Sequence, residues 1–316
     1  MQDKSPFYYK EYSPPKPASN FWTGKICRSP KSIYSWLDKY CYGHSEYKKA
    51  LSMLIWNAYN HQRPKGALLV VGNSGEGKTE MLRIAKGFYN NLEILDASLF
   101  TSQGYRGNNK ITSGLKRLNV SPDGPMAICC IDEIDKLIQK ADGGRNDSAP
   151  LWELLKIIEG GTVDVTENSN EEPNIIDTSN ICFVLLGSFS YLQEKQSKTI
   201  GFARDDEAKP SKSVNPKRVL EILPPEIRGR IETICYLDPL TETDYRNLLM
   251  QNRHYNPIKR IADERHINLH VSKDKIAQIA REAYEDHSVR SINSKLSNYV
   301  NDVLFDEPDT KDIVIE

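Results

Sequence analysis

The sequence predicts an α/β protein: a large domain built on a parallel sheet, followed by a small, mainly helical C-terminal domain. Three observations carry this. Short apolar runs suited to buried strands alternate with helical patterns between Ala67 and Leu237. After Pro239 such runs largely stop, and capped amphipathic helices follow. Between the first strand and its helix stands a complete phosphate-loop pattern, GNSGEGKT.

Residues 1–30 are rich in proline and aromatic side chains without periodicity, and read as an extended arm. A helical region is expected from Pro30 to His61, where Ala50, Leu51, Leu54, Ile55 and Ala58 share one face. ALLVV (Ala67–Val71) is the first strand, TEMLRIAKGFY a helix and LEILDAS the second strand. AICCID (Ala127–Asp132), ICFVLLG (Ile181–Gly187) and ETICYL (Glu232–Leu237) complete a parallel sheet covered on both faces. Beyond it, TETDYRNLLMQNR opens with a threonine cap and an acidic first turn. A serine-capped helix carries Ile276, Ile279 and Ala280, and a last helix carries Ile292, Leu296, Val300 and Leu304. The division is therefore an arm over 1–30, a large domain over 31–238 and a small domain over 239–316. The polar stretches 141–149 and 162–174 are loops of a size that often serves function.

At 39% hydrophobic and 27% charged residues, the composition is that of an ordinary globular protein. A net charge of −1 gives no bulk attraction to nucleic acid or membranes, and no run is long enough to span a bilayer. The first residues lack the apolar core of a signal peptide, so a cytoplasmic protein is expected. The six cysteines form no C-x-x-C pair, and Cys129, Cys130 and Cys182 fall in strand-like runs. Neither a disulfide framework nor a structural zinc site is expected.

In GNSGEGKT the turn formed by Gly72, Asn73, Ser74, Gly75, Glu76 and Gly77 lets backbone N–H groups face phosphate oxygens, beside the positive end of a helix. Lys78 is placed for the β- and γ-phosphates and Thr79 for Mg²⁺. Asp132 and Glu133 end an apolar strand at the carboxyl edge of the same sheet, where open α/β folds bind ligands. Asp132 is the candidate for positioning Mg²⁺ and Glu133 for polarising the attacking water. ATP and Mg²⁺ are the expected ligands.

The CIDEIDK strand end, the phosphate loop and the helical tail together resemble AAA+ ATPases, specifically the ClpX group of protein unfoldases, from about Ser35 to the C-terminus. That resemblance implies an AAA+ P-loop NTPase fold and a homo-hexameric ring that threads polypeptide through a pore. Cys41 and Tyr42 match apolar residues that pack on adenine. In LFTSQGYRGNN, Gly104, Tyr105, Arg106 and Gly107 match the pore loop, with Tyr105 as the grip and Arg106 in place of the usual aliphatic residue. In LPPEIRGRIETI, Arg230 matches the arginine finger that reaches a neighbour's γ-phosphate. Arg228 departs from the usual residue two places before it, leaving the assignment between the two open. In SVRSIN, Arg290 matches the small-domain sensor, and Ser188 ends the sensor strand. Ile200, Gly201 and Phe202 match a loop that docks on a ClpP-like peptidase ring.

Two features depart from the group. The short Pro/Tyr-rich arm stands where a zinc-binding domain usually precedes the ATPase, and TENSNEEPN is acidic where a basic pore-entrance element is usual. The resemblance thus implies an ATP-driven unfoldase with protein substrates, an adaptor and a ClpP-like partner. Two alternatives stand beside it: an AAA+ helper in replication or transposition, and a non-proteolytic remodelling chaperone or nucleotide switch.

Overall fold

Alternation along each strand builds the central sheet, because successive side chains leave opposite faces. The computed structural model describes residues 20–100, 111–142, 148–166, 172–192 and 214–316. Its main sheet contains β1 (Ala67–Val71), β2 (Leu92–Asp96), β3 (Ala127–Asp132), β6 (Ile181–Gly187) and β7 (Ile231–Tyr236), in the order β2-β3-β6-β1-β7. All four pairings are parallel. β3, β6 and β1, the inner strands, are almost wholly buried, whereas β2 and β7 at the edges are not.

Leu68, Val70, Ile128, Cys130, Val184 and Leu186 face one core, with Leu37, Leu51, Ile55 and Leu82 packed over them. These come from α2 (Pro30–Tyr40), α3 (Ser45–Tyr59) and α4 (Lys78–Lys86). The alternate residues Leu69, Cys129, Ile131, Phe183 and Leu185 face a second core under α5 (Ile111–Leu115), α6 (Ile134–Asp142) and α7 (Ala149–Glu159). Each fully buried Leu or Ile contributes about 1.5–3 kcal/mol, so the two faces hold the sheet rigid beneath its edges.

The strand and helix pattern of the large domain follows the sequence expectation. Residues 20–26 form α1 rather than an extended arm; Ile26 and Cys27 are buried, and Thr23 Oγ1 donates to Phe88 O at 2.6 Å. A seven-residue helix is unstable alone and exists through this packing, which a local pattern does not reveal. The helical region expected over 30–61 is present as two helices, broken where Gly43 and His44 take φ of 65° and 53°. An antiparallel pair, β4 (Thr162–Asp164) and β5 (Ile175–Asp177), flanks the acidic loop, and α8 (Pro216–Ile222) and α9 (Pro225–Arg228) lead into β7.

A third core, built around Tyr245, Ile279, Ile292, Leu296 and Val300, belongs to the C-terminal part. It joins α10 (Glu242–Met250), α11 (Pro257–Arg265), α12 (Lys273–Glu285) and α13 (Val289–Asp306). Thr241 and Asp244 form a reciprocal capping box at the start of α10, as the threonine and acidic turn suggest. After Pro239, where strands are expected largely to stop, there is a short parallel pair, β8 (Asn268–Val271) with β9 (Asp312–Ile315). Leu269, Ile313 and Ile315 enter the core from it. Four-residue strands more than 40 positions apart leave too little local signal to read.

Candidate functional site

The phosphate loop leaves the end of β1 and is wound by two left-handed glycines, Gly75 (φ 84°) and Gly77 (φ 87°). Gly77 precedes α4, so Lys78 and Thr79 occupy its first turn. Lys78 is buried, and its Nζ donates to the carbonyls of Gly72 (2.5 Å) and Asn73 (2.7 Å). Burial lowers its pKa, opposed by the nearby carboxylates of Glu76, Asp132 and Asp135. Glu76 is also buried and ties the loop together, accepting from Asn73 N and Asn73 Nδ2, each at 3.0 Å. Its carboxyl is pushed up by desolvation, with the Asn73 hydrogen bonds acting against that shift.

Parallel packing brings the end of β3 to the same edge. Thr79 Oγ1 donates to Asp132 Oδ2 at 2.6 Å, while Asp132 Oδ1 accepts from Glu133 N at 2.9 Å. Glu133 sits at φ 58°, a left-handed conformation uncommon for a non-glycine residue and often found at functional sites. Its Oε2 lies 2.5 Å from Lys136 Nζ. Asp135, two residues on, is buried and accepts from Ser188 Oγ and Phe189 N, both at 2.9 Å. Ser188 at the end of β6 is thereby fastened to the helix that follows Glu133.

The opposite wall comes from the small domain. A Cβ placed on Gly75 would meet Ser288 Oγ at 2.7 Å, and Val289 N approaches Gly75 O at 3.4 Å. Arg290, in the first turn of α13, is close enough for its charge to help depress the Lys78 pKa. Cys41 is buried in the sheet core, its thiol pushed up to about 12 by desolvation. Tyr42 instead reaches across, donating to Asp244 Oδ1 at 2.9 Å and meeting the Tyr255 ring edge-on at 5.6 Å. Arg260 Nη1 lies 3.7 Å from Glu80 Oε1 on α4. The loop, Asp132 and Glu133 therefore line a cleft bounded by the small domain.

Arg230 is elsewhere. It directly precedes β7, at the amino edge of the sheet, whereas the phosphate loop follows the carboxyl end of the neighbouring parallel strand β1. Its Nη2 pairs with Glu159 Oε1, and its Nε is buried without a partner. Arg63, Lys65, Glu159, Gly160 and Arg230 line a cavity of about 390 Å³ there. Arg228 is exposed, its Nη2 donating to Leu223 O at 3.1 Å. The positions matched to a pore loop (104–107) and a docking loop (200–202) lie outside the described residues. Sequence reasoning missed Asp135, Glu159 and His44. Only Asp135 had a local signal, as the third carboxylate of DEID.

Residues 63–234, more than half of the chain, match the AAA domain (Cdc48 subfamily). The chain belongs to the AAA family. Curated relatives sharpen this. The ATP-dependent Clp protease ATP-binding subunit ClpX of Treponema denticola is 28% identical over 96% of this chain and 82% of its own length. ClpX of Borrelia duttonii is 29% identical over 96% and 80%. ClpX 2 of Wolinella succinogenes is 31% identical over 67% and 60%. This AAA protein is a ClpX-type ATPase with the parallel-sheet P-loop fold. Its cleft fits the ligands that the family implies. The Thr79 hydroxyl and Asp132 carboxylate are hard oxygen donors suited to Mg²⁺. Nothing would approach a Cβ on Gly77 within 4 Å, leaving its backbone open to a phosphate. Among the described residues no cluster of three or more His, Cys, Asp or Glu offers another metal site, and no helix is long and apolar enough to cross a membrane.

Proposed function

We propose that this ATPase is an unfoldase subunit working in a homo-hexameric ring, each ATP site being completed by a neighbour, with polypeptide threaded through the ring toward a ClpP-like peptidase. The observation that carries the reading is the split site. Lys78, Thr79, Asp132 and Glu133 share the carboxyl edge of the sheet, while Arg230 stands at the amino edge and so belongs to a different nucleotide.

In this reading the backbone N–H groups of residues 72–77 cradle the ATP phosphates. The Lys78 ammonium turns from the Gly72 and Asn73 carbonyls to the β- and γ-phosphates. Thr79 and Asp132 hold Mg²⁺, which when bound offsets the phosphate charge. Glu133, released from Lys136, orients the attacking water and accepts its proton. Arg230 of the adjacent subunit steadies charge on the transferred phosphoryl group. Ser288 and Val289, against Gly75, and Arg290 next to them carry the state of the loop into α13 and so into the small domain. Cys41 backs the adenine region from the core, and Tyr42 links it to α10. Tyr105 between Gly104 and Gly107 grips substrate, beside Arg106, and Ile200, Gly201 and Phe202 dock the peptidase. Both loops rest on the sequence resemblance alone.

The test is subunit mixing. Lys78→Ala and Arg230→Ala proteins, each nearly inactive alone, are expected to regain ATPase activity together, since mixed rings pair an intact phosphate loop with an intact arginine. Absence of complementation in rings shown to be mixed would overturn the shared site. Degradation of an unfoldable reporter by added ClpP-type peptidase, lost in Phe202→Ala with ATPase kept, tests delivery.

A further inference from the structure

A second basic cleft, away from the phosphate loop, is assigned by neither the family nor the proposed mechanism. Lys39 at the end of α2 faces it from the large domain; Asn252, Arg253, His254 and Lys259 face it from the α10–α11 segment. The concavity holds about 200 Å³. The side chains of Lys39, Arg253 and Lys259 make no hydrogen bond or ion pair with other described residues. Asp38, the acid adjacent to Lys39, is engaged by Lys48 at 2.7 Å.

A whole-chain charge of −1 does not account for three cations without a partner among the described residues, and a histidine, around one small hollow. Cations sharing one hollow add their positive potentials there, which favours an anion. Lys259 lies in the first turn of α11, whose dipole adds positive potential there. His254 is fixed by stacking on Tyr40, with ring centroids 5.0 Å apart.

We infer that this cleft binds a phosphoryl anion of about pyrophosphate size. A carboxylate has two oxygens, whereas a hollow lined by two lysines, an arginine and a histidine suits a multiply charged group with oxygens on several sides. An anion held from both walls ties α2 to α11, next to the Tyr42–Asp244 and Glu80–Arg260 links, and so bears on closure of the nucleotide cleft.

The test is calorimetric titration of the full chain carrying Lys78→Ala, with inorganic pyrophosphate as probe. One saturable site is expected, weakened at least tenfold by adding Arg253→Ala and Lys259→Ala, and by Lys39→Gln independently. No saturable binding, or binding indifferent to these changes, would overturn the inference. An ADP titration in the same proteins distinguishes the source. Affinity that falls in parallel assigns the cleft to nucleotide-borne phosphate, and affinity that does not assigns it to the free anion. In the otherwise native chain, Arg253→Ala and Lys259→Ala should leave basal ATPase within twofold. Because the test does not involve assembly, it stands or falls separately from the ring.

Discussion

Gly66→Ala should damage the protein out of proportion to the one carbon it adds. A Cβ at Gly66 would lie 2.5 Å from Arg230 O, 2.9 Å from Glu232 N and 3.1 Å from Arg230 C. All three are backbone atoms, so no side-chain rotation relieves the clash. The start of β1 cannot easily move either. Ala67 N donates to Arg230 O at 2.7 Å, and the Glu232 carboxylate accepts from Lys65 N and Gly66 N at 2.8 and 3.2 Å. Overpacking of this kind costs about 1–3 kcal/mol, and a strained strand hydrogen bond adds up to about 1 kcal/mol. At about 2–4 °C per kcal/mol, thermal unfolding followed by circular dichroism should move down by roughly 2–16 °C. Gly124→Ala is the control, since its Cβ would meet nothing nearer than Ser121 Cβ at 3.8 Å. The displaced carbonyl is Arg230's own, so the guanidinium shifts with it. Misplacement of about 1 Å costs on the order of 100-fold in rate, so ATPase of the assembled protein should fall far more than stability. A melting point within about 1 °C of the parent, with ATPase unchanged, would refute both the packing argument and the placement of Arg230.

Asp135→Ala leaves the buried Phe189 N–H without an acceptor and frees Ser188. A loss of about 1–3 kcal/mol is expected, with faster hydrogen exchange at the end of β6. His44 is expected to make the chain acid-sensitive. Its Nε2 lies 2.9 Å from Glu76 O, and desolvation lowers its pKa below 6.5, with the charges of Lys48 and Lys78 adding to the shift and Asp238 opposing it. The folded state then binds fewer protons than the unfolded one, so stability present above 6.5 is lost as pH falls through the folded pKa. His44→Gln keeps an N–H donor without the titration, and denaturant melts of the two proteins should diverge only below that pH.

Much of the large domain is legible in the sequence because its strands are buried on both faces. ALLVV, AICCID and ICFVLLG are continuous apolar runs, and only a parallel sheet covered by helices hides both sides of such a strand. The last helices are legible from their caps, with Thr241, Ser272 and Ser288 each accepting from the backbone of the first turn. What stayed illegible owes its existence to distant partners. α1 is held by Phe88 and β8 by β9, and neither contact leaves a trace within ten residues of sequence.

The phosphate loop is legible for a different reason: its chemistry is compressed into eight consecutive residues that must turn tightly around an anion. Arg230 is the opposite case, an ordinary arginine until the parallel sheet puts it on the far edge from Lys78. Glu159 carries no motif at all. Its position at the end of α7, with Gly160 at φ 89° turning the chain away, leaves its carboxylate beside the Arg230 guanidinium. Both groups are about half exposed, so the pair itself stabilises the fold by less than about 1 kcal/mol. A contact that weak adds little to stability; its consequence is orientation, because it anchors Nη2 of a guanidinium that lines the cavity of about 390 Å³ at this edge of the sheet.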